Sequence, residues 1–266
     1  MFVFTFSFVI LSLVGDVLMF TDTHCHILSD KFYNPMNVIN NLERDNIRRI
    51  IINGYNIKSN CEVLDLINNK NVYGALGIHP DNISDFNDYA KKFINESINN
   101  KKIIAIGEIG LDYFHNKENK KKQLEMLDYF LGLAENNDLP VIIHSREATG
   151  DLLELLKKHK CKGIIHCFSG SLETAREYIK LGYKLGIGGV LTFKNCNLKD
   201  VLKEIDLCHI LLETDSPYLA PVPFRGLPNE PVNLNIIADY LCTIYNVSLE
   251  ELVNILEDNF NDVFNI

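Results

Sequence analysis

The sequence Phe20-Thr21-Asp22-Thr23-His24-Cys25-His26 ends an apolar run with two histidines two residues apart. Side chains two apart on a strand share a face, so both imidazoles can converge on one metal ion. A lone pair of this kind fits equally well one surface histidine and one hydrogen-bonded core histidine. The metal interpretation is favoured because similar residues end other short β-branched apolar runs, namely Glu108, His144, His166 and Asp215.

Short apolar runs recur along the whole chain. They are continuously apolar instead of alternating with polar residues, which is typical of parallel strands buried on both faces. The predicted strands cover residues 18–24, 49–53, 72–77, 103–107, 141–143, 163–165, 183–187 and 209–212.

Amphipathic segments of helical period separate these runs. Strand and helix alternate about eight times within a length typical of one barrel, which predicts an α/β fold of the (β/α)8 TIM-barrel class. A doubly wound open sheet is the alternative, but no glycine-rich fingerprint follows the first strand. The predicted helical segments are 35–46, 59–69, 85–100, 117–137, 148–159, 171–181, 197–205 and a C-terminal set from 231 to 264.

The imidazoles and carboxylates fall where such a barrel carries its active site. The strands of a TIM barrel end at a common mouth, and the loops that follow them carry the chemistry. Six such groups at one rim would repel one another or remain unsatisfied without a cation. The sequence therefore predicts a metal centre built from His24 and His26 of the first strand, Glu108 of the fourth, His144 of the fifth, His166 of the sixth and Asp215 of the eighth.

Six sequence runs carry a resemblance to a known family. They are Asp22–His26, Gly77-Ile78-His79-Pro80, Gly107–Asp112, Pro140–Arg146, His166-Cys167-Phe168-Ser169-Gly170 and Leu212–Pro217. Together, and in unbroken order from about residue 19 to 266, they resemble the TatD family of metal-dependent deoxyribonucleases. One departure is Leu28, which stands where family members usually carry an acidic residue that is not a metal ligand.

The resemblance implies a site with two divalent ions. His24, His26 and Asp215 would hold the first ion, His144 and His166 the second, and Glu108 would bridge them. Histidine and carboxylate ligands without thiolate suit Mg²⁺ or Mn²⁺, and Zn²⁺ is possible. Two such ions activate water and stabilise the leaving oxygen, as phosphodiester hydrolysis requires.

Other residues near the predicted mouth have roles that stay open between two interpretations. Asp215 is a candidate general base, because a carboxylate beside the ion can accept a proton from water, or it is a helix N-cap ahead of Ser216-Pro217. His79 and Arg146 either contact a phosphate or orient a ligand. Glu213 is a further candidate for orienting a ligand. Aromatic residues that either stack a base or belong to the core are Phe168, Tyr218 and Phe224.

Charge and cysteine content limit the function and the compartment. A formal net charge of −9 argues against a protein that coats duplex DNA through a basic surface, although metal ions can supply local positive charge for gripping one strand end. Seven cysteines without CxxC spacing indicate neither a disulfide scaffold nor a zinc–thiolate site. We expect a cytoplasmic location, with secretion as the alternative, and no obligate protein partner.

The N-terminal 18 residues differ from the rest of the chain. They are almost wholly apolar but lack the Lys or Arg with which a secretory signal begins. Gly15 and Asp16 interrupt the apolar run, which leaves it short of the about 20 residues that a membrane-spanning helix needs. We interpret 1–18 as an extension of uncertain role and 19–266 as the hydrolase domain, with no stable membrane insertion.

Three functions fit this pattern. The leading hypothesis is a 3′-to-5′ exodeoxyribonuclease that acts on single-stranded or frayed DNA. The alternative is metal-dependent ester or amide hydrolysis, such as D-aminoacyl-tRNA deacylation, and the third is a non-catalytic metal-stabilised barrel. Glu108 stands on the fourth strand, where a binuclear amidohydrolase would carry a carboxylated lysine, and this favours the nuclease.

Overall fold

A computed structural model describes residues 18–266, so the predicted extension 1–18 lies outside the described residues except for Leu18. Eight parallel strands form one sheet in chain order, and interleaved helices cover it, which confirms the predicted (β/α)8 barrel. The strands are β1 (Phe20–Cys25), β2 (Ile47–Asn53), β3 (Val72–Leu76), β4 (Ile103–Asp112), β5 (Val141–Arg146), β6 (Gly163–Ile165), β7 (Tyr183–Ile187) and β8 (Ile210–Leu212).

Nine α-helices lie among the described residues, and all but one lie at predicted positions within a few residues at each end. The C-terminal set divides into two helices because Asn246 adopts a left-handed conformation between them. The helices are α1 (Pro35–Asn41), α2 (Ile57–Leu66), α3 (Asp88–Ser97), α4 (Lys120–Asn136), α5 (Thr149–Leu156), α6 (Leu172–Lys180), α7 (Leu198–Leu202), α8 (Leu234–Tyr245) and α9 (Leu249–Phe264). Helix α1 is the exception, since the predicted segment continued to residue 46 and the helix ends at Asn41.

Strands β4 and β5 extend furthest beyond the predicted apolar runs. Strand β4 continues to Asp112 and β5 to Arg146, because their backbones stay paired in register from Ile109–Ile143 to Asp112–Arg146. Backbone pairing does not require apolar side chains, so the polar ends of these strands were not visible in the pattern. Glu108 and His144 therefore lie within strands and not beyond their ends.

The barrel closes between its first and last strands through the segment that follows β8. The Thr23 hydroxyl donates to the carbonyl of Leu212 over 2.8 Å. Beyond β8, the backbone N–H of Asp215 donates to His24 O over 2.9 Å, and that of His26 donates to Ser216 O over 2.8 Å. These bonds place the segment carrying Asp215 directly beside the two histidines of the first strand.

Alternation along the strands divides the barrel interior into two levels. Ile142 and Ile164 pair in register in an apolar lower level, and two residues further along the chain come His144, on β5, and His166, just past the end of β6. Helix α9 closes the lower end, with Phe260 completely buried against this cluster. The lower half thus provides stability, and the upper half presents polar side chains to the mouth.

No helix among residues 18–266 is both long and apolar enough to cross a membrane.

Candidate metal centre

Six imidazole and carboxylate side chains converge at the upper end of the barrel. Glu108 lies at the centre, and its two carboxylate oxygens face different neighbours. Oε2 lies 3.3 Å from His26 Nε2 and 3.7 Å from His24 Nε2. Oε1 lies 3.0 Å from His166 Nε2 and 3.2 Å from His144 Nδ1.

Asp215 completes the group on the Oε2 side. Its Oδ1 lies 3.5 Å from His24 Nε2 and 3.6 Å from His26 Nε2, and the two histidine nitrogens are 3.2 Å apart. On the other side, His144 Nδ1 and His166 Nε2 are also 3.2 Å apart. The structure therefore brings together all six predicted ligands in two groups that share Glu108.

These spacings fit metal coordination. Bonds from a metal to nitrogen or oxygen are about 2.1 Å long, so two ligands of one ion lie about 3.0–3.4 Å apart. Most of the donor separations around Glu108 fall in or close to that range. The distances from His24 Nε2 to Asp215 Oδ1, 3.5 Å, and to Glu108 Oε2, 3.7 Å, are slightly longer. The residues present therefore fit one divalent ion in each group.

Hydrogen bonds fix which nitrogen of two histidines faces the centre. His26 Nδ1 lies 2.9 Å from the carbonyl of Asn53, which can only accept, so Nδ1 carries the proton and Nε2 presents its lone pair. His144 Nε2 lies 3.1 Å from Asp112 Oδ2, which leaves Nδ1 free to face Glu108. An imidazole fixed in this way is ready to bind a cation without reorienting.

Asp112 is the residue that the sequence interpretation missed. Its Oδ1 accepts the backbone N–H groups of Phe114 and His115, which holds the carboxylate still while Oδ2 faces His144. Burial alone would raise the pKa of Asp112, but the hydrogen bonds from His144 and His115 lower it below its ordinary value. The signal was its spacing: residues 108, 110 and 112 share one face of a strand.

Glu213 lies beside His166, in the position to orient a ligand that its spacing from Asp215 suggested. Its Oε1 accepts the backbone N–H of Cys167 over 2.6 Å and lies 3.5 Å from His166 Nδ1. The carboxylate fits inside the barrel because Gly186 faces it on β7. A Cβ at position 186 would collide with Glu213 Oε2, so only glycine leaves room for this side chain.

Asp22 joins the first strand to the segment after the last one. Its carboxylate accepts from the Thr214 hydroxyl over 2.6 Å, from the Thr214 backbone N–H over 3.0 Å and from the His24 N–H over 3.2 Å. This arrangement ties the backbone of His24 to the residue preceding Asp215. Burial raises the pKa of Asp22 to about 8.

Electrostatics keep the central carboxylate ionised. Burial by itself would raise the pKa of Glu108, but the adjacent imidazoles, above all His166, hold it well below the ordinary value. The pKa of Asp215 is lowered too, because its hydrogen bond with His24 and the nearby imidazoles outweigh burial. Burial lowers the pKa of His24 and brings that of His79 to about 3, so both rings are neutral near pH 7.

The predicted phosphate contacts also line the cavity above this centre, which has a volume of about 700 Å³. His79 Nε2 lies 3.6 Å from Glu108 Oε1. The backbone N–H of Asp81 donates to His79 Nδ1 over 3.1 Å, so the ring proton sits on Nε2, the nitrogen that faces Glu108. Arg146 is exposed at the rim with its guanidinium 4.0 Å above the Phe114 ring.

The three aromatic candidates separate clearly. Phe168 is buried and belongs to the core, whereas Tyr218 and Phe224 are 45% and 41% exposed. Tyr218 lines the cavity beside His26, with ring centroids 6.3 Å apart. The sequence could not distinguish these cases, because an aromatic residue near a mouth packs inward or outward according to the loop that carries it.

Comparison with known proteins agrees with this geometry. The family described as TatD related DNase matches residues 21–265. The chain belongs to this family. It is 35% identical to the uncharacterized metal-dependent hydrolase YabD of Bacillus subtilis, over 93% of this chain and 100% of YabD.

Solved structures of TatD proteins share the fold. The crystal structure of the TatD homologue YjjV of Escherichia coli aligns with a TM-score of 0.88 and 32% identity, covering 94% of this chain and 99% of YjjV. A hydrolase of the TatD family from Entamoeba histolytica aligns with a TM-score of 0.80 and 26% identity, covering 93% of this chain and 98% of that protein. This chain is thus a TatD-family metal-dependent hydrolase with a His, Glu and Asp cluster able to bind metal.

Proposed function

We propose that this TatD-family hydrolase cleaves phosphodiester bonds with two divalent ions, as a 3′-to-5′ exodeoxyribonuclease on single-stranded or frayed DNA. The observation that carries the proposal is the arrangement of Glu108, whose two oxygens face separate groups of metal-binding side chains. A carboxylate shared in this way is the expected bridge of a two-metal site.

The proposed division of the ligands follows the resemblance. His24, His26 and Asp215 would hold one ion and His144 and His166 the other, with Glu108 shared between them; His24, His26 and Asp215 lie together, and Glu108 lies close to His166 and His144. Bound ions would supply an activated water and positive charge for the phosphate and leaving oxygens. Because the donors are nitrogen and oxygen without thiolate, we propose Mg²⁺ or Mn²⁺, with Zn²⁺ as a possible substitute.

Asp215 is proposed as the general base. It is ionised because hydrogen bonding with His24 outweighs burial in setting its pKa. It also lines the cavity, with its side chain 14% exposed, so it can accept a proton from a water attacking the phosphorus. Its alternative role as a helix N-cap finds no support, since residues 213–215 precede turns and not a helix.

His79 and Arg146 are proposed to hold the phosphate. His79 lines the cavity with its proton on Nε2, and its low pKa keeps the ring neutral, so it can donate a hydrogen bond without transferring a proton. Arg146 offers a planar fork that can donate two hydrogen bonds to phosphate oxygens. DNA is therefore the proposed partner, in a cytoplasmic setting where the seven free thiols remain reduced.

The test is a substrate panel with Mg²⁺ or Mn²⁺. Single-stranded DNA labelled at its 5′ end should give a ladder that shortens from the 3′ end, while 3′-labelled DNA should release label as mononucleotide at once. Chelation followed by dialysis should abolish activity, and added metal should restore it. Cleavage of RNA or D-aminoacyl-tRNA but not DNA would contradict the proposal, as would full activity in excess chelator.

A further inference from the structure

Cationic side chains line the cavity and the depression beside it although the chain as a whole is acidic, with a formal net charge of −9. Each of these cations lies over an aromatic ring. The contacts are Lys31 with Tyr55 at 5.1 Å and Tyr218 at 5.7 Å, Arg146 with Phe114 at 4.0 Å, and Arg225 with Phe193 at 3.9 Å.

A second depression, of about 480 Å³, lies beside the metal centre between Phe193 and the loop after β8. Lys31, Tyr218 and Leu219 line both this depression and the main cavity, so the two are continuous. Arg225 lies in the second depression only. We call this second depression, with Lys31, Phe193, Tyr218 and Arg225, the Tyr218 groove.

The floor of the Tyr218 groove is apolar, exposed and held in place. Tyr218 is 45% exposed and Leu227 is 61% exposed. The loop is anchored because the backbone N–H of Tyr218 donates to Asp215 O, and the buried Asn229 side chain donates to Tyr218 O, both over 2.8 Å. The backbone of Tyr218 is therefore held beside Asp215 of the metal centre.

We propose that the Tyr218 groove binds the nucleotides of single-stranded DNA next to the scissile phosphate. A base stacks on Tyr218, and the flanking phosphates contact Lys31 and Arg225. Proteins that bind single strands without reading their sequence combine aromatic rings with cationic side chains. The Tyr218 ring also lies next to the metal centre, with its centroid 6.3 Å from that of the His26 ring. This inference rests on the proposed function and adds where the strand runs.

The groove is tested by binding, separately from hydrolysis. The probe is a fluorescein-labelled phosphorothioate oligodeoxythymidine of about 12 nucleotides, measured by anisotropy with the full chain in Mg²⁺ at several salt concentrations. Tyr218→Ala should weaken binding about 10-fold without altering the salt dependence, because stacking carries no charge. Arg225→Gln should reduce the slope of log K against log salt by about 0.7, the value for one phosphate contact.

Two control variants match these changes outside the groove. Tyr89→Ala removes another exposed aromatic ring, and Arg44→Gln removes another exposed guanidinium; both should bind as the unaltered chain does. If Tyr218→Ala and Arg225→Gln also bind as the unaltered chain does, the inference is overturned. A chain that binds the probe in this groove-dependent way but never cleaves ordinary DNA would support the groove and contradict the proposed function instead.

Discussion

At the scale of single residues, the centre depends on side chains that face the ions and on others that orient them. Glu108 belongs to the first kind, since both of its oxygens face imidazole nitrogens. Asp112 belongs to the second, because it touches His144 and lies behind it. Substitutions at these two positions should therefore impair the protein differently, the first in turnover and the second in metal affinity.

Glu108→Gln should lower turnover about 10³-fold or more, because an amide cannot bridge two cations with its two atoms. The melting temperature of the metal-free protein should stay the same, since residues at the mouth of a barrel contribute to function more than to stability. Turnover and melting are measured together, with Glu125→Gln on the surface of α4 as the control. An active Glu108→Gln protein would show that the ions are not bridged there.

Asp112→Asn should weaken metal binding about 10- to 100-fold, as is usual when the partner of a ligating histidine is lost. Asn keeps an oxygen to accept the N–H groups of Phe114 and His115, so the turn survives while the charge facing His144 disappears. Activity measured against metal concentration should shift to higher concentrations and recover at saturation. An unchanged metal titration would show that Asp112 does not support metal binding by His144.

At the scale of elements, helix α9 closes the end of the barrel opposite the metal centre. Phe260 is fully buried there, packs 4.7 Å from the Phe264 ring and lies beneath the guanidinium of Arg49. On the same helix, Asp262 pairs with Lys184 of β7 over 2.8 Å. These contacts stabilise the barrel without reaching the mouth.

Phe260→Ala should lower the free energy of unfolding by about 3–5 kcal/mol, because it leaves a cavity between the helix and the strands. Metal affinity should stay the same in the folded protein. Chemical denaturation and a metal titration test both points, with the exposed Tyr33→Ala expected to change stability by less than about 0.5 kcal/mol. A loss of metal affinity equal to the loss of stability would mean that the two ends are coupled.

Asp262→Asn should make the free energy of unfolding vary less with pH in the acid range. The hydrogen bond from Lys184 lowers the pKa of Asp262, so the carboxylate stabilises the fold above its unfolded pKa and loses this effect as pH falls through the lowered value. Because Asp262 is 73% exposed, the difference at pH 7 should be about 1 kcal/mol or less. Urea denaturation should show that the difference in free energy of unfolding between the two proteins disappears below about pH 4. A difference that persists there would exclude this ion pair as its cause.

At the scale of the whole molecule, the described barrel begins with β1 at Phe20, whose backbone N–H donates to Asn46 O. We therefore expect a chain beginning at Met19 to fold, bind metal and hydrolyse substrate as the full sequence does. Sedimentation and initial rates of the two chains provide the comparison. If the shorter chain is unfolded or inactive, residues 1–18 belong to the folded domain and the boundary at 19 is wrong.

The amino-acid pattern was enough to predict the strand and helix order and the six side chains of the centre, Glu108 among them, because continuous apolar runs and the barrel rule place strand ends at one mouth. It left the tautomers, the orienting Asp112 and the exposure of Tyr218 undetermined. Those depend on contacts between distant segments, such as Asp112 with His144 and Asn229 with Tyr218, which only the folded chain brings within hydrogen-bonding distance. A local pattern fixes which face a side chain occupies, whereas its partner across the barrel is decided by tertiary packing.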